Sequence, residues 1–158
     1  MKPATNATAL RVQAVLGSKF QVLEFDASTR TAANAAAAIG CAVAQIAKSL
    51  IFRAAHTNKA VLIVASGTNR VDEKKIEALI GEPITRADAD FVREQTGFTI
   101  GGVPPVAHAN NPIVVLDEDL LKFDEIWAAA GTPNAVFRLA PAALSELTGA
   151  SFKQIACG

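Results

Sequence analysis

Apolar residues at Ala9, Leu10, Val12, Val15 and Leu16 recur at helical spacing, which predicts an amphipathic helix over Thr5 to Leu16 ending near Gly17. Phe20, Val22, Leu23 and Phe25 alternate well enough for a strand. Thr31 is placed to cap an alanine-rich helix that stops at Gly40, and alanine both favours the helix and lets it lie close to a sheet. Lys48 to Arg53 and Ala60 to Ala65 read as two buried strands joined by a polar turn at His56 to Lys59. After a turn at Ser66 to Asn69, Asp72 caps a helix running to Ile80, and Ala87 to Gln95 forms another. Further strands are expected at Ile113 to Leu116, Glu125 to Ala129 and Ala135 to Leu139, with a helical turn at Asp117 to Leu121. A last helix runs from Pro141 to Leu147, with proline in its first turn and Gly149 past its end. Strands and helices alternate irregularly, with hairpin-like neighbours. The pattern predicts an α+β domain with a mixed sheet rather than a doubly wound parallel sheet.

Composition narrows the class. The chain has 158 residues, 51% of them hydrophobic and 19% charged, enough for a sizeable core without a disulfide or metal staple. It reads as one domain from residue 1 to 158. The longest alanine-rich stretch is broken by Asn34, Gly40 and Gln45, so no membrane span is expected. Lys2 is followed by no apolar core of a secretory signal, which makes the cytoplasm the expected compartment. Cys41 and Cys157 stand apart, and with His56 and His108 as the sole histidines neither a metal site nor a cofactor is expected.

Fifteen basic residues balance fifteen acidic ones, which argues against a broad footprint on duplex DNA. A modest basic region (Lys48, Arg53, Lys59, Arg70, Lys74, Lys75) offers contacts for a few phosphates, or most of these cations are plain solvated surface charges. Nucleophile-elbow, zinc-helix, P-loop and dinucleotide fingerprints are missing, so catalysis would rest on positioning and backbone stabilisation. Lys48 opens its expected strand, where its ammonium would project from the sheet's end as a point charge suited to phosphate; an edge lysine that discourages strand pairing has the same signature. Gly101 and Gly102, followed by Val103, Pro104 and Pro105, make a stiff loop. Its N–H groups at Gly101, Gly102 and Val103 offer an oxyanion cradle, or the segment is a plain structural turn. His108 just beyond is a base, a ligand contact or a polar loop residue, and Trp127 is expected in the core.

Four segments in order carry a resemblance: Ser28 to Gly40 (S-T-R-T-A-x-x-A-A-x-x-x-G), Gln45 to Phe52 (Q-I-A-K-S-L-I-F), Thr96 to Val106 (T-G-F-x-I-G-G-V-P-P-V) and Ile126 to Pro133 (I-W-A-A-A-G-T-P). Together they resemble the YbaK/ProX-type editing domains, free-standing or inserted in synthetases, which hydrolyse mischarged aminoacyl-tRNA, many acting on tRNA for proline. The resemblance spans roughly Val12 to Gly149 and implies a compact α+β fold around a mixed, barrel-like sheet flanked by helices. It implies that Lys48 holds the phosphate near the 3′-terminal adenosine. It also implies that Gly101 to Pro105 surrounds the aminoacyl carbonyl and that Ser49 lines the amino-acid pocket. Thr31, Gly131, Thr132 and His108 complete the candidate substrate-binding set.

The chain also departs from relatives. It lacks the histidine of alanine-specific members near Gly131–Thr132. It has Val136 where cysteine-specific members carry aspartate, and Ala107 where many read glycine. Hydroxyls at Ser49 and Thr132 favour removal of serine or threonine, then alanine, over cysteine. The expected activity is trans-acting deacylation of an aminoacyl-tRNA acceptor end, with a synthetase as a candidate partner. A non-catalytic module that binds aminoacyl-tRNA ends or a synthetase is the alternative.

Overall fold

The computed structural model describes residues 1–26 and 31–158, so Ser28 to Arg30 of the first motif lie outside the described residues. Among the described residues, nine strands form one mixed sheet: β1 (Lys2–Pro3), β2 (Val22–Glu24), β3 (Ile46–Ala54), β4 (Ala60–Ser66), β5 (Ile84–Arg86), β6 (Ile113–Asp117), β7 (Ile126–Ala129), β8 (Ala135–Leu139) and β9 (Phe152–Lys153). Among the described residues, five α-helices flank it: α1 (Ala7–Leu16), α2 (Ala32–Ile39), α3 (Glu73–Ile80), α4 (Ala89–Thr96) and α5 (Pro141–Thr148). Strand order is β1-β2-β8-β7-β3-β4-β6-β9, with β5 branching onto β3. The β7·β3, β4·β6 and β6·β9 pairs are parallel and the others antiparallel, as an α+β chain with a mixed sheet requires.

β4 explains its own sequence. Every residue from Ala60 to Ser66 is buried, because both faces of the strand are covered. Leu62 and Val64 face a core closed by α1, α4, Phe98 and Leu144, while Val61, Ile63 and Ala65 face Ile76 of α3 and Ile155. A third cluster seats α2, through Ala35 and Ala36, on Ile46, Trp127 and Val136. Trp127 is thus packed in this cluster, as expected from the sequence, and it also borders the cavity described below.

The helix ends follow the cap residues. Asp72 Oδ1 accepts from the Lys74 N–H and Asp88 Oδ1 from the Phe91 N–H, while glycines at 81, 97 and 149 close α3, α4 and α5 in the left-handed region. α1 begins one step differently from the expected Thr5 start. Asn6 caps it, and buried Glu24 of β2 accepts from the N–H groups of Thr5 and Asn6, tying the helix to the sheet. Those backbone bonds, Asn6 first, hold the Glu24 carboxyl below its ordinary range.

Candidate functional site

β3 builds the site by changing partners. Ile46 and Ala47 pair with β7, and Phe52 to Ala54 pair with β5. Between them, Lys48 to Ile51 has no partner on that side among the described pairings. A cavity of about 310 Å³ opens at this break, large enough for a small ligand. Four segments line it: Thr31, Ala32 and Ala35 at the start of α2; Ile46 to Leu50 of β3; Ile100, Gly101 and Val103; and the β7–β8 hairpin with Thr132 and Val136. Alanines at 32, 35, 47, 128, 129 and 135 make much of the wall, so the backbones stand close and the space stays open.

Lys48 is therefore not at the strand's end, where the sequence puts it. The strand starts two residues earlier because Ile46 and Ala47 find partners in β7, and Lys48 lies inside it, half-buried against the cavity. Its Nζ donates to the carbonyl of Asn69 at 2.7 Å. Burial pushes the ammonium's pKa down, and the charge of Asp117 pushes back. Ser49 Oγ is buried and has no hydrogen-bond partner among the described residues. A hydroxyl in that position carries a cost that a ligand's polar group would remove.

The Thr99–Gly102 turn is closed by the Gly102 N–H donating to Thr99 O at 3.0 Å. Gly101 occupies its third position with φ +94°, the conformation a type II turn reserves for glycine. The Gly102 N–H is thus engaged, which corrects the three-donor cradle read from the sequence. The N–H groups of Gly101 and Val103 have no protein acceptor among the described residues. Gly102 is glycine for a different reason from Gly101: a Cβ there would sit 2.9 Å from Gly131 O and from Thr132 backbone atoms. The Gly131 N–H donates to Gly102 O at 2.9 Å, so the two loops are stitched backbone to backbone.

The structure brings together Thr31, Lys48, Ser49, Gly101, Val103 and Thr132. Gly102, Pro104, Pro105, Gly131 and His108 are not part of the cavity lining. His108 is half-buried, and its Nε2–H donates to Pro104 O at 2.6 Å; burial lowers the imidazole's pKa and this bond opposes it. Thr31 Oγ1 accepts from the Asn34 N–H as the α2 cap, and Thr132 Oγ1 donates to Asn134 Oδ1 at 2.9 Å. Sequence reasoning missed the lining roles of Ala32, Ala35 and Ile100. The first two stand one turn apart on α2, a spacing that marks them as one face.

An aminoacyl-tRNA editing domain model matches residues 26–147. The uncharacterized protein YwhH of Bacillus subtilis (strain 168) is 39% identical over 127 residues, covering 80% of each chain. A crystal structure of a candidate trans-editing enzyme for prolyl tRNA synthetase superposes with a TM-score of 0.92 at 46% identity, covering 98% of this chain and 100% of that one. The hypothetical protein APE2540 superposes with a TM-score of 0.82 at 32% identity, covering 92% and 96%. The matched span runs from just before α2 through β3, the glycine-proline loop and the β7–β8 turn, and so takes in every segment that lines the cavity: the chain belongs to the aminoacyl-tRNA editing domain family.

Proposed function

We propose that the chain is a trans-acting hydrolase, residues 1–158 acting as one unit, that removes a small amino acid from the 3′ end of mischarged tRNA. The observation that carries this reading is the convergence, among the described residues, of one cation, one unpartnered hydroxyl and two unengaged backbone N–H groups on a small cavity. Lys48 holds the phosphate next to the terminal adenosine, and its half-buried setting strengthens that contact relative to open water. Water adds to the ester carbonyl, and the N–H groups of Gly101 and Val103 receive the negative charge that forms on its oxygen. The ribose hydroxyl beside the ester assists the water as an internal group, which fits a lining that holds no carboxylate or imidazole among the described residues. The carbon–oxygen bond to the ribose then breaks, releasing the amino acid and a free tRNA end.

Pro104, Pro105, Gly131 and His108 serve substrate binding indirectly, by fixing the loops that bear these groups. Ser49 selects a side chain bearing a hydroxyl, with Thr132 and Thr31 nearby; Val136 offers no charge to a substrate amine or thiol. The test is a deacylation series on proline tRNA charged with serine, threonine, alanine or cysteine. Serine or threonine should be removed fastest, and Ser49→Ala should narrow the serine-to-alanine rate ratio by about tenfold, the scale of one hydrogen bond. A clear preference for cysteine would overturn the substrate assignment. Binding without hydrolysis of any of the four would return the binding-module reading.

A further inference from the structure

Lys48 is held from outside the cavity by a turn that none of the motifs includes. Its Nζ donates to the carbonyl oxygen of Asn69, and that carbonyl has little freedom to move. The Asn69 N–H closes the turn on Ser66 O at 2.9 Å. The Asn69 side-chain amide donates to Asp117 Oδ2 at 2.8 Å and to Asp119 Oδ2 at 2.7 Å. Asp117 is fully buried and also accepts from the Ser66 N–H, and Ser66 Oγ donates to Ala44 O at 2.6 Å. On the turn's other side, a Cβ at Gly67 would fall 2.2 Å from Val43 O, so this glycine lets the turn seat directly on the backbone before β3. The turn is clamped from both sides, far more firmly than an ordinary surface connection between a strand and a helix.

A clamp of this kind suits the chemistry of lysine. Its side chain loses about 2 kcal/mol of rotamer freedom when fixed, and a free one would sample many positions around the cavity mouth. An ammonium has three donors; one on Asn69 O leaves two directed elsewhere. We propose that Asn69 is a positioning residue for Lys48, its side-chain amide locked by Asp117 and Asp119 so that its backbone carbonyl aims the ammonium into the cavity. This rests on the reading of Lys48 as the phosphate contact, and it predicts an effect on substrate capture rather than on the bond-breaking step.

The experiment is a double-mutant cycle between Lys48→Ala and Asn69→Ala in the full chain, with proline tRNA carrying the fastest-removed amino acid of the series above. Asn69→Ala should raise KM about tenfold with kcat within about twofold. In the Lys48→Ala background the same change should do nothing further, because the group it aims is gone. Asp119→Ala, which removes one of the two side-chain anchors, should raise KM in the same direction by about threefold, and it keeps the test open if Asn69→Ala fails to fold. Equal losses from Asn69→Ala in both backgrounds, or a fall in kcat at unchanged KM, would make the turn merely structural and overturn the proposal. Parent-like kinetics in Asn69→Ala and Asp119→Ala alongside an impaired Lys48→Ala would also overturn it while sparing the phosphate role. Parent-like kinetics in Lys48→Ala would instead remove the reading on which it rests.

Discussion

Ala107 is the residue whose replacement should improve the protein. It has φ +68°, and Asn58 is the other described non-glycine residue in that region. A left-handed backbone brings an L-residue's Cβ against its carbonyl, at roughly 1–2 kcal/mol. Glycine would relieve that, but its looser unfolded chain costs about 0.4–1 kcal/mol. Ala107 is half-buried against the main core, so its methyl group also gives up roughly 0.4 kcal/mol, half the value of a buried methylene. The net for Ala107→Gly is small, a gain of about 0.4 kcal/mol from the middle of these ranges. A control removes the largest uncertainty. Ala109 lies two residues on, exposed and without a positive φ, so Ala109→Gly carries the unfolded-state cost alone. The difference between the two variants should be about 1 kcal/mol in favour of position 107, or roughly 2–4 °C in Tm for a chain of this size. Urea and thermal melts of the pair decide it. A loss at 107 that exceeds the loss at 109 by about 0.4 kcal/mol, the share of the methyl group alone, would mean that the loop carries no backbone strain at 107.

Three other perturbations test separate parts of the account. Lys48→Ala should abolish most deacylation with an unchanged melt, since the side chain lines a cavity and supports no core; hydrolysis at the parent rate would reduce Lys48 to an edge charge. Gly101→Val should cost kcat about a hundredfold or more through the lost turn geometry, because φ +94° excludes a β-branched residue, and full activity in that variant would refute the carbonyl-binding role. Glu24 has a folded pKa below its unfolded value of 4.5, so its stabilisation is complete above that pH and is lost as pH falls through the lower folded value. Glu24→Gln should therefore flatten the acid side of a urea-midpoint profile, and an unchanged slope would show that the carboxylate bonds to Thr5 and Asn6 do not drive acid unfolding.

Much of the fold was readable because local signals and tertiary structure agree. Asp72, Gly81 and Pro141 mark helix ends by backbone chemistry that needs no knowledge of neighbours. The apolar run from Ala60 to Ala65 is buried wherever the strand goes. The failures share a cause. β1, β5 and β9 have two or three residues each, so their identity comes from the partner strand and not from periodicity. Lys48 was placed at a strand end because its charge breaks the hydrophobic pattern, yet pairing with β7 extends the strand past it. Glu24 shares a face with Val22, and its charge is tolerated in burial because two backbone donors before α1 meet it there, which no spacing in the sequence shows. Motifs located Lys48, Ser49 and the glycine loop, but only geometry shows that the Gly102 N–H is taken and that Asn69 stands behind the lysine.

The break in β3 has a consequence for how the molecule comes into being. The sheet consists of two wings, β1-β2-β8-β7 and β3-β4-β6-β9, whose strands pair, among the described residues, at Ile46↔Trp127 and Ala47↔Ala128. The hairpin of β3 with β4, and β6 beside it, draw on residues 46–117 and can pair as that stretch emerges from the ribosome. β2 must wait for β8, since Val22 pairs with Phe137, and closing so long a loop comes late. The two wings join where the cavity lies, so the pocket is the last part to be finished, and an unfinished chain holds a formed β3 and β4 with no cavity beside them. Pulse-labelled hydrogen exchange during refolding should protect the amides of β4 and β6 before those of β2 and β8, and simultaneous protection of all four would place the joint in the folding nucleus itself.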